Sequence, residues 1–491
     1  MLESGLSKMS LIKWRCARHK FNALYPLSIV FYTNLMLMPC AFADTSITYV
    51  EAKTRLIQQS DAIQATEFDL ASKQNIQASL AQLGFPTLSI NAGYQSYSLQ
   101  RELNIEPLQQ VAGQFVAGSE QVIPSKIALD FKGTNPKASI TSVWELYTGG
   151  RITAARIAAS ASVNESKAQQ DGIFAQQEKL LATIYFSHLL AKQILMINKD
   201  VRDDVKRHLH LAKRFESTGI LSKVERLHAQ VAFDEANRSL EQAQADFEIA
   251  GLTLQRLLRS NEPVKPLTNL FVITKTLAPV SQFLNAGMTK HNQLAVLRAK
   301  HKQAEQAKVI EEARWKPTVA AYGSYNLARH DADFNDPLAL LDPDWVVGIN
   351  ISYKIFDSTD RRHSVNAANL NVSKVDALRR EFEMRLKTYI ETSYRSVERA
   401  RSQYMLLASN IELADETLTL RERLFSEGLG TSLDVIDALL SVAKVKTQQS
   451  AAAYDFVLSL VDLLEGSGQL QNFSRYINQA DVSLAIEEKT L

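Results

Sequence analysis

Cysteine is almost missing from this chain of 491 residues, which has two, Cys16 and Cys40. Both lie in an N-terminal stretch that carries Lys13, Arg15, Arg18 and Lys20, then an apolar run from Phe21 to Met38, then Ala41-Phe42-Ala43 before Asp44. That order of basic, apolar and small residues is the pattern of a secretory signal, and cleavage is expected after Ala43. The run is short and interrupted by Pro26 and Asn34, which argues against a membrane anchor. Pro39 beside Cys40 argues against lipidation at that cysteine. Without residues 1–43 the chain has no thiol, which excludes disulfides and Cys-ligated metal sites.

An excess of one charge is missing too. Taking five basic residues and one acid away from the 55 and 53 of the whole chain leaves 50 against 52, a net charge of −2. Such a surface offers no electrostatic basis for binding nucleic acid. No further run of eighteen apolar residues follows the signal, so entry into a membrane would have to occur without a spanning helix. The chemistry of an enzyme is also not visible. Thr148-Gly149-Gly150-Arg151 lacks the spacing of a phosphate loop. His208 and His210, two apart on a helix, face different ways, which argues against a shared metal. No catalytic residue, cofactor or metal is therefore expected.

Proline is absent between Pro136 and Pro263 and again after Pro343. Proline interrupts a helix by removing an N–H and clashing with the preceding turn. Two proline-free stretches rich in Ala, Gln, Glu, Lys, Arg and Leu therefore read as long helices, each with one reversal. The reversals fall at Gly219 and Gly428, where glycine tolerates the positive φ of a helix end. Each outgoing helix would be on the order of 100 Å long. Val372, Val375, Leu378, Phe382, Leu386 and Tyr389 step by three or four and predict one buried stripe. The return path is broken: helices are expected over 223–258, 281–314 and 432–465, with an N-terminal helix over about 47–83.

The two reversals also resemble each other. "GILSKVERLHAQV" (219–231) and "GLGTSLDVIDALL" (428–440) align Gly219 with Gly428, Val224 with Leu433, Glu225 with Asp434 and Ala229 with Ala438. This predicts an internal duplication. Short segments between the helices alternate with period two, the mark of strands. "PTLSINAGY" (86–94) sets Leu88, Ile90, Ala92 and Tyr94 against Thr87, Ser89, Asn91 and Gly93, and "VGINISYKIF" (347–356) alternates in the same way. "ASITSVWELY" (138–147) and "PTVAAYGSY" (317–325) are their weaker partners, giving one hairpin per repeat. Residues 98–137, rich in Gln, Gly, Ser and Pro, are expected as an exposed loop. The resulting plan is a signal peptide (1–43), a first repeat (44–259), an equatorial linker (260–280), a second repeat (281–466) and a C-terminal tail (467–491).

Four amphipathic strands cannot close a barrel, and a membrane barrel must close because lipid offers no partner to an open edge. Several chains would have to share one barrel; three would give twelve strands. The competing reading is a soluble periplasmic coiled-coil scaffold or adaptor whose strands form a small sandwich.

The duplicated plan, together with "LYTGGR" (146–151), "IFDSTDRR" (355–362) and "GLGTSLDVIDAL", resembles the TolC-like outer membrane channel proteins of Gram-negative tripartite efflux pumps and type I secretion systems. The resemblance implies an α+β membrane protein: a homotrimer with a long antiparallel α-helical barrel across the periplasm and a 12-stranded β-barrel in the outer membrane. It implies a passive exit duct, open to the outside and gated at its inner end. It would be served by a periplasmic adaptor and an inner-membrane transporter of the RND or ABC type. By resemblance, Asp434 and Asp437 are the acids that ring the periplasmic gate, although acids at a helix start are also favoured by the helix dipole alone. Gly219, Ile220, Leu221 and Lys223 at one tip, and Gly428, Leu429, Gly430 and Thr431 at the other, are the adaptor-docking positions. The sequence departs from the family pattern at Gly430, where an arginine is expected. Gly149, Gly150, Asp357 and Ser358 are assigned to the strand-to-helix turns. Trp144, Tyr147, Tyr353 and Phe356 fit an aromatic girdle at a membrane interface.

Overall fold

The computed structural model describes residues 45–118, 121–327, 343–357 and 359–484. The expected signal peptide and Ser358 lie outside the described residues. Four long helices dominate. Helix α4 (Arg151–Ser217) has 67 residues and α8 (Arg361–Ser426) has 66, so each is about 100 Å long. They are followed by α5 (Lys223–Leu257) and α9 (Ser432–Gly466), each of 35 residues. Helix pairs also precede the two hairpins: α1 (Tyr49–Gln59) and α2 (Asp61–Ala81) before the first, α6 (Val280–Lys290) and α7 (Asn292–Ala313) before the second.

These pairs differ from the continuous helices expected over 47–83 and 281–314. The breaks fall at Ser60 and His291, both in extended backbone conformation. His291 ends one helix and caps the next, its Nδ1 accepting from the backbone N–H of Gln293 at 3.1 Å. The stripe expected on α8 is only partly buried: Leu386 is buried, Val372, Val375, Phe382 and Tyr389 are half-buried, and Leu378 is exposed.

The segment expected as a linker carries two short strands that tie in both ends of the described chain. Strand β4 (Val264–Pro266) pairs in parallel with β1 (Thr45–Ile47). Strand β5 (Leu270–Val272) pairs antiparallel with β8 (Val482–Leu484), which follows the short helix α10 (Phe473–Asn478). The largest core lies here, built on a nest of buried rings that includes Tyr49, Tyr185, Phe186, Phe271, Phe456 and Phe473. Tyr49 stacks on Phe186 at 5.7 Å and meets Phe473 edge-on at 5.1 Å. Burying each such ring contributes about 1.5–3 kcal/mol, so this belt anchors the helices at mid-length. Helix α4, which holds an 18-residue window of mean hydropathy 1.5, gives Leu181, Ala182, Tyr185 and Phe186 to this core. A second, smaller core sits at the far end of the long helices, where Val205, Leu209, Phe425, Val435, Ile436 and Leu439 pack together.

At the opposite end, four strands form one antiparallel sheet in the order β2-β3-β6-β7. Strand β2 (Thr87–Asn104) has 18 residues and β3 (Lys126–Tyr147) has 22, while β6 (Thr318–Asn326) and β7 (Trp345–Ser352) have 9 and 8. The expected loop over 98–137 is therefore strand at both ends, over 98–104 and 126–137. The ladder continues without a register shift to Asn104↔Lys126, and only a short helix, α3 (Glu106–Phe115), and its flanks lie between the strands.

Pairing puts residues directly opposite one another on the same face. One face collects Leu88, Ile90 and Tyr94 with Tyr325, Val347, Ile349 and Ile351, all more than half exposed. A register shift between Glu145 and Tyr147 inserts one extra residue, which returns Tyr147 to the face already occupied by Trp144. The other face is polar, and Asn91 donates to the Thr141 hydroxyl across it at 3.3 Å.

Candidate functional site

The two helix reversals share one backbone design. Gly219 has φ 76° and Gly428 has φ 75°, the left-handed conformation that only glycine adopts cheaply. The N–H of Gly219 donates to Glu216 and that of Ile220 to Phe215, at 3.0 and 2.9 Å. The N–H of Gly428 donates to Phe425 and that of Leu429 to Leu424, at the same two distances. This is the paired closure that satisfies the last carbonyls of a helix. Ile220 and Leu429 are then left exposed at the tips, at 62% and 74%.

The returning helices start differently. At the second tip, Thr431 caps α9 and forms a complete capping box: its hydroxyl accepts from Asp434 N–H at 3.2 Å, and the Asp434 carboxylate accepts from Thr431 N–H at 3.2 Å. Arg421 on α8 stands 3.2 Å from the same carboxylate. The Thr431 hydroxyl and N–H, with Arg421 beside them, hold the Asp434 carboxyl below the usual range. Asp437 is exposed one turn further on. At the first tip, Ser222 caps α5 by accepting from Glu225 N–H at 3.4 Å, but the Glu225 carboxylate does not return to its own cap. It crosses to the other hairpin and accepts from the backbone N–H of Ser432 at 2.8 Å.

Ser432 is fully buried and has a second partner. Its Oγ lies 2.6 Å from Nε2 of His208, a buried side chain of α4 that packs against Phe425 at 4.6 Å between ring centres. Burial lowers the His208 pKa to about 4 despite the opposing field of Glu225, so the ring is neutral. Two side chains of the first hairpin, Glu225 and His208, thus converge on one residue of the second. Neither contact is visible from spacing, because Ser432 lies 207 and 224 positions away. His210 is exposed and Lys223 points into solvent. Gly430 sits against the end of α8, its N–H donating to the carbonyl of Leu424 at 3.2 Å.

The strand-to-helix turns are the other set of singled-out residues. Gly149 and Gly150 have φ 68° and 98° and turn β3 into α4. A Cβ on Gly149 would come within 2.9 Å of the Ala313 carbonyl, so both conformation and space demand glycine. Lys316 donates to the Gly149 carbonyl at 3.2 Å. After β7, Asp357 pairs with Arg314 at 2.8 Å, and buried Arg361 lies over the Trp315 ring while donating to the Arg314 carbonyl at 3.0 Å. Charged hydrogen bonds therefore fasten both hairpins to the end of α7. Trp144, Tyr147 and Tyr353 stand about half exposed at this helix-proximal end of the sheet, and Phe356 is almost fully exposed. Among the described residues, no group of three or more His, Cys, Asp or Glu side chains could hold a metal ion.

Comparison with known proteins agrees with this architecture. Residues 288–469 match the family model described as outer membrane efflux protein. The sequence is 24% identical over 280 residues to Protein CyaE of Bordetella pertussis, a match covering 55% of this chain and 57% of that one. The chain thus spans just over half the length of this relative. The fold is similar to the outer membrane protein VceC of Vibrio cholerae, with a TM-score of 0.67 at 14% identity over 86% of this chain and 96% of that one. It is also similar to the CmeC outer membrane channel of Campylobacter jejuni, with a TM-score of 0.67 at 12% identity over 88% and 90% of the two chains. The MtrE outer membrane channel of Neisseria gonorrhoeae gives 0.66 at 15% identity over 86% and 89%. The second half of the chain thus carries an outer membrane efflux protein domain, and the described chain has the fold of these outer membrane channels.

Proposed function

We propose that three copies of this chain form an outer membrane duct, each lending four strands to one 12-stranded barrel and its long helices to one periplasmic tunnel. The carrying observation is the sheet. Its outer strands β2 and β7 are both edges, and one of its faces is apolar and exposed from Leu88 to Ile351. An open sheet of this kind is unstable in lipid and prone to pairing in water, and closure by identical copies resolves both problems. Trp144, Tyr147 and Tyr353 then mark the periplasmic interface of the barrel, with Tyr325 and Trp345 at the other end of the shorter strands. The near-identical lengths of α1 and α6, α2 and α7, α4 and α8, and α5 and α9 support an internal duplication in which the two repeats contribute equivalent hairpins.

In this reading the duct is passive and takes its cargo from an inner-membrane transporter of the RND or ABC type through a periplasmic adaptor. The exposed apolar tips at Ile220 and Leu429, with Lys223 nearby, are where the adaptor docks. Asp434 and Asp437 line the inner mouth, where six carboxylates in a trimer attract cations. The Glu225 and His208 contacts to Ser432 hold the two hairpins of each subunit together at that mouth. The experiment is membrane fractionation of the mature protein, followed by mass determination of the detergent-extracted species. A trimer in the outer membrane is expected; a soluble periplasmic monomer or dimer would replace the duct with a scaffold.

A further inference from the structure

The first hairpin of the sheet runs well past the second. Pairing between β3 and β6 ends at Ser139↔Asn326, whereas pairing between β2 and β3 continues to Asn104↔Lys126. Eighteen residues of β2 span roughly 60 Å. The apolar band of an outer membrane barrel is only about 25 Å tall, so even a tilted β2 carries its distal half beyond the lipid.

In that distal half the alternation inverts. Up to Tyr94 the apolar residues of β2 occupy even positions and share the lipid-side face of the sheet. From Ser96 onward the even positions of β2 are polar: Ser96, Ser98, Gln100, Glu102 and Asn104, opposite Thr134, Lys132, Asp130, Ala128 and Lys126. Glu102 and Lys126 form an ion pair at 3.4 Å on this face. The apolar residues move to odd positions, with Tyr97 and Leu103 on β2 and Ile127 and Leu129 on β3. The ladder has no register shift here, so the change of face is a property of the sequence and not of a bulge. Helix α3, at the end of the hairpin, adds Leu108, Val111 and Phe115 at helical spacing, exposed by 66%, 52% and 82%.

An apolar surface above the lipid and on the axis side of the wall cannot be covered by lipid, and its own subunit leaves Leu103 and Ile127 exposed by 51% and 39%. By three-fold symmetry the surfaces that face it at the same height are the same hairpins of the other two copies. Reach allows the contact. Twelve strands about 4.8 Å apart and tilted by about 40° place the wall roughly 12 Å from the axis, well under the ~30 Å of the distal half. We infer that the distal β2–β3 hairpins and α3 helices of three copies meet over the pore and narrow its outer mouth. This rests on the trimeric duct proposed above and differs from the open outer mouth that the family resemblance implies.

The test uses the full chain, first confirmed as a trimer by mass in detergent, so that failure of the trimer is seen separately. Val111→Cys is oxidised alongside Lys132→Cys, which lies on the outward face. Covalent dimers and trimers are expected from the first and none from the second. In parallel, Asn350→Cys on the polar face of β7 is labelled by a bulky maleimide added outside intact cells. A variant in which a short turn joins Gln100 to Asp130 should be labelled about tenfold faster than the full hairpin. A trimer in which Val111→Cys does not cross-link, or in which shortening leaves the labelling rate unchanged, overturns the inference.

Discussion

The two tips have the same glycine, the same φ and the same closing hydrogen bonds, yet they use their first-turn carboxylates in opposite ways. Asp434 stays at home, closing its own capping box and meeting Arg421 of the neighbouring helix. Glu225, at the aligned position, is one methylene longer and reaches the N–H of Ser432 in the other hairpin. A helix start leaves several N–H groups without intrahelical partners, and any nearby carboxylate can satisfy one. One tip therefore spends its acid on its own stability, and the other on the distance between hairpins. Two turns of one backbone design thus serve as a turn and a clasp.

The largest effect should come from removing the clasp alone. Ser432→Pro deletes both the N–H that Glu225 accepts and the hydroxyl that contacts His208. Proline is tolerated at the first position of a helix, and Thr431, at φ −96° and ψ 159°, already has the backbone that must precede it. Losing about 2 kcal/mol of hydrogen bonding per subunit shifts the closed-to-open balance roughly thirtyfold. Planar-bilayer conductance should rise; conductance equal to wild type would show that the hairpins are held elsewhere.

A smaller, qualitative change is expected from the acids of the other tip. Asp434→Asn with Asp437→Asn should reduce cation preference in single-channel recordings while leaving Glu225 and its contact in place. Unchanged selectivity would confine Asp434 to capping. The smallest effect is a pH dependence of the clasp. Above about pH 6.5 His208 is neutral whether buried or exposed and contributes nothing to pH dependence. Between there and its depressed pKa of about 4, an opened, solvated His208 binds a proton that the buried one excludes, so the closed contact weakens as pH falls. Conductance should rise modestly from pH 7 to pH 5, and His208→Gln should flatten that rise.

Much of this architecture is legible in one sequence because long helices and a period of two leave strong marks. The absence of proline bounds α4 and α8, and Gly219 and Gly428 place the reversals within a residue or two. The breaks at Ser60 and His291 are less visible, since neither residue is a helix breaker by type. The strands of 98–137 are hidden because their Gln, Gly and Ser content resembles a loop and because the alternation changes face near Gln95. β4 and β5 are too short to show a period. The contact of His208 and Glu225 with Ser432 could not be read from spacing, since it depends on two hairpins meeting in space. The aligned Glu225 and Asp434 were the available signal: an acid preserved in type but not in length.

The belt at mid-length has a consequence for the order of events in folding. Its strands β1 and β8 come from opposite ends of the chain, and each pairs only with the segment between the repeats among the described residues. Helical hairpins can form from local contacts as soon as they emerge, but a pairing such as Leu270↔Leu484 must wait for nearly the whole polypeptide. The belt is therefore the last local structure to close, and a truncated or stalled chain would have hairpins without the girdle that sets them side by side.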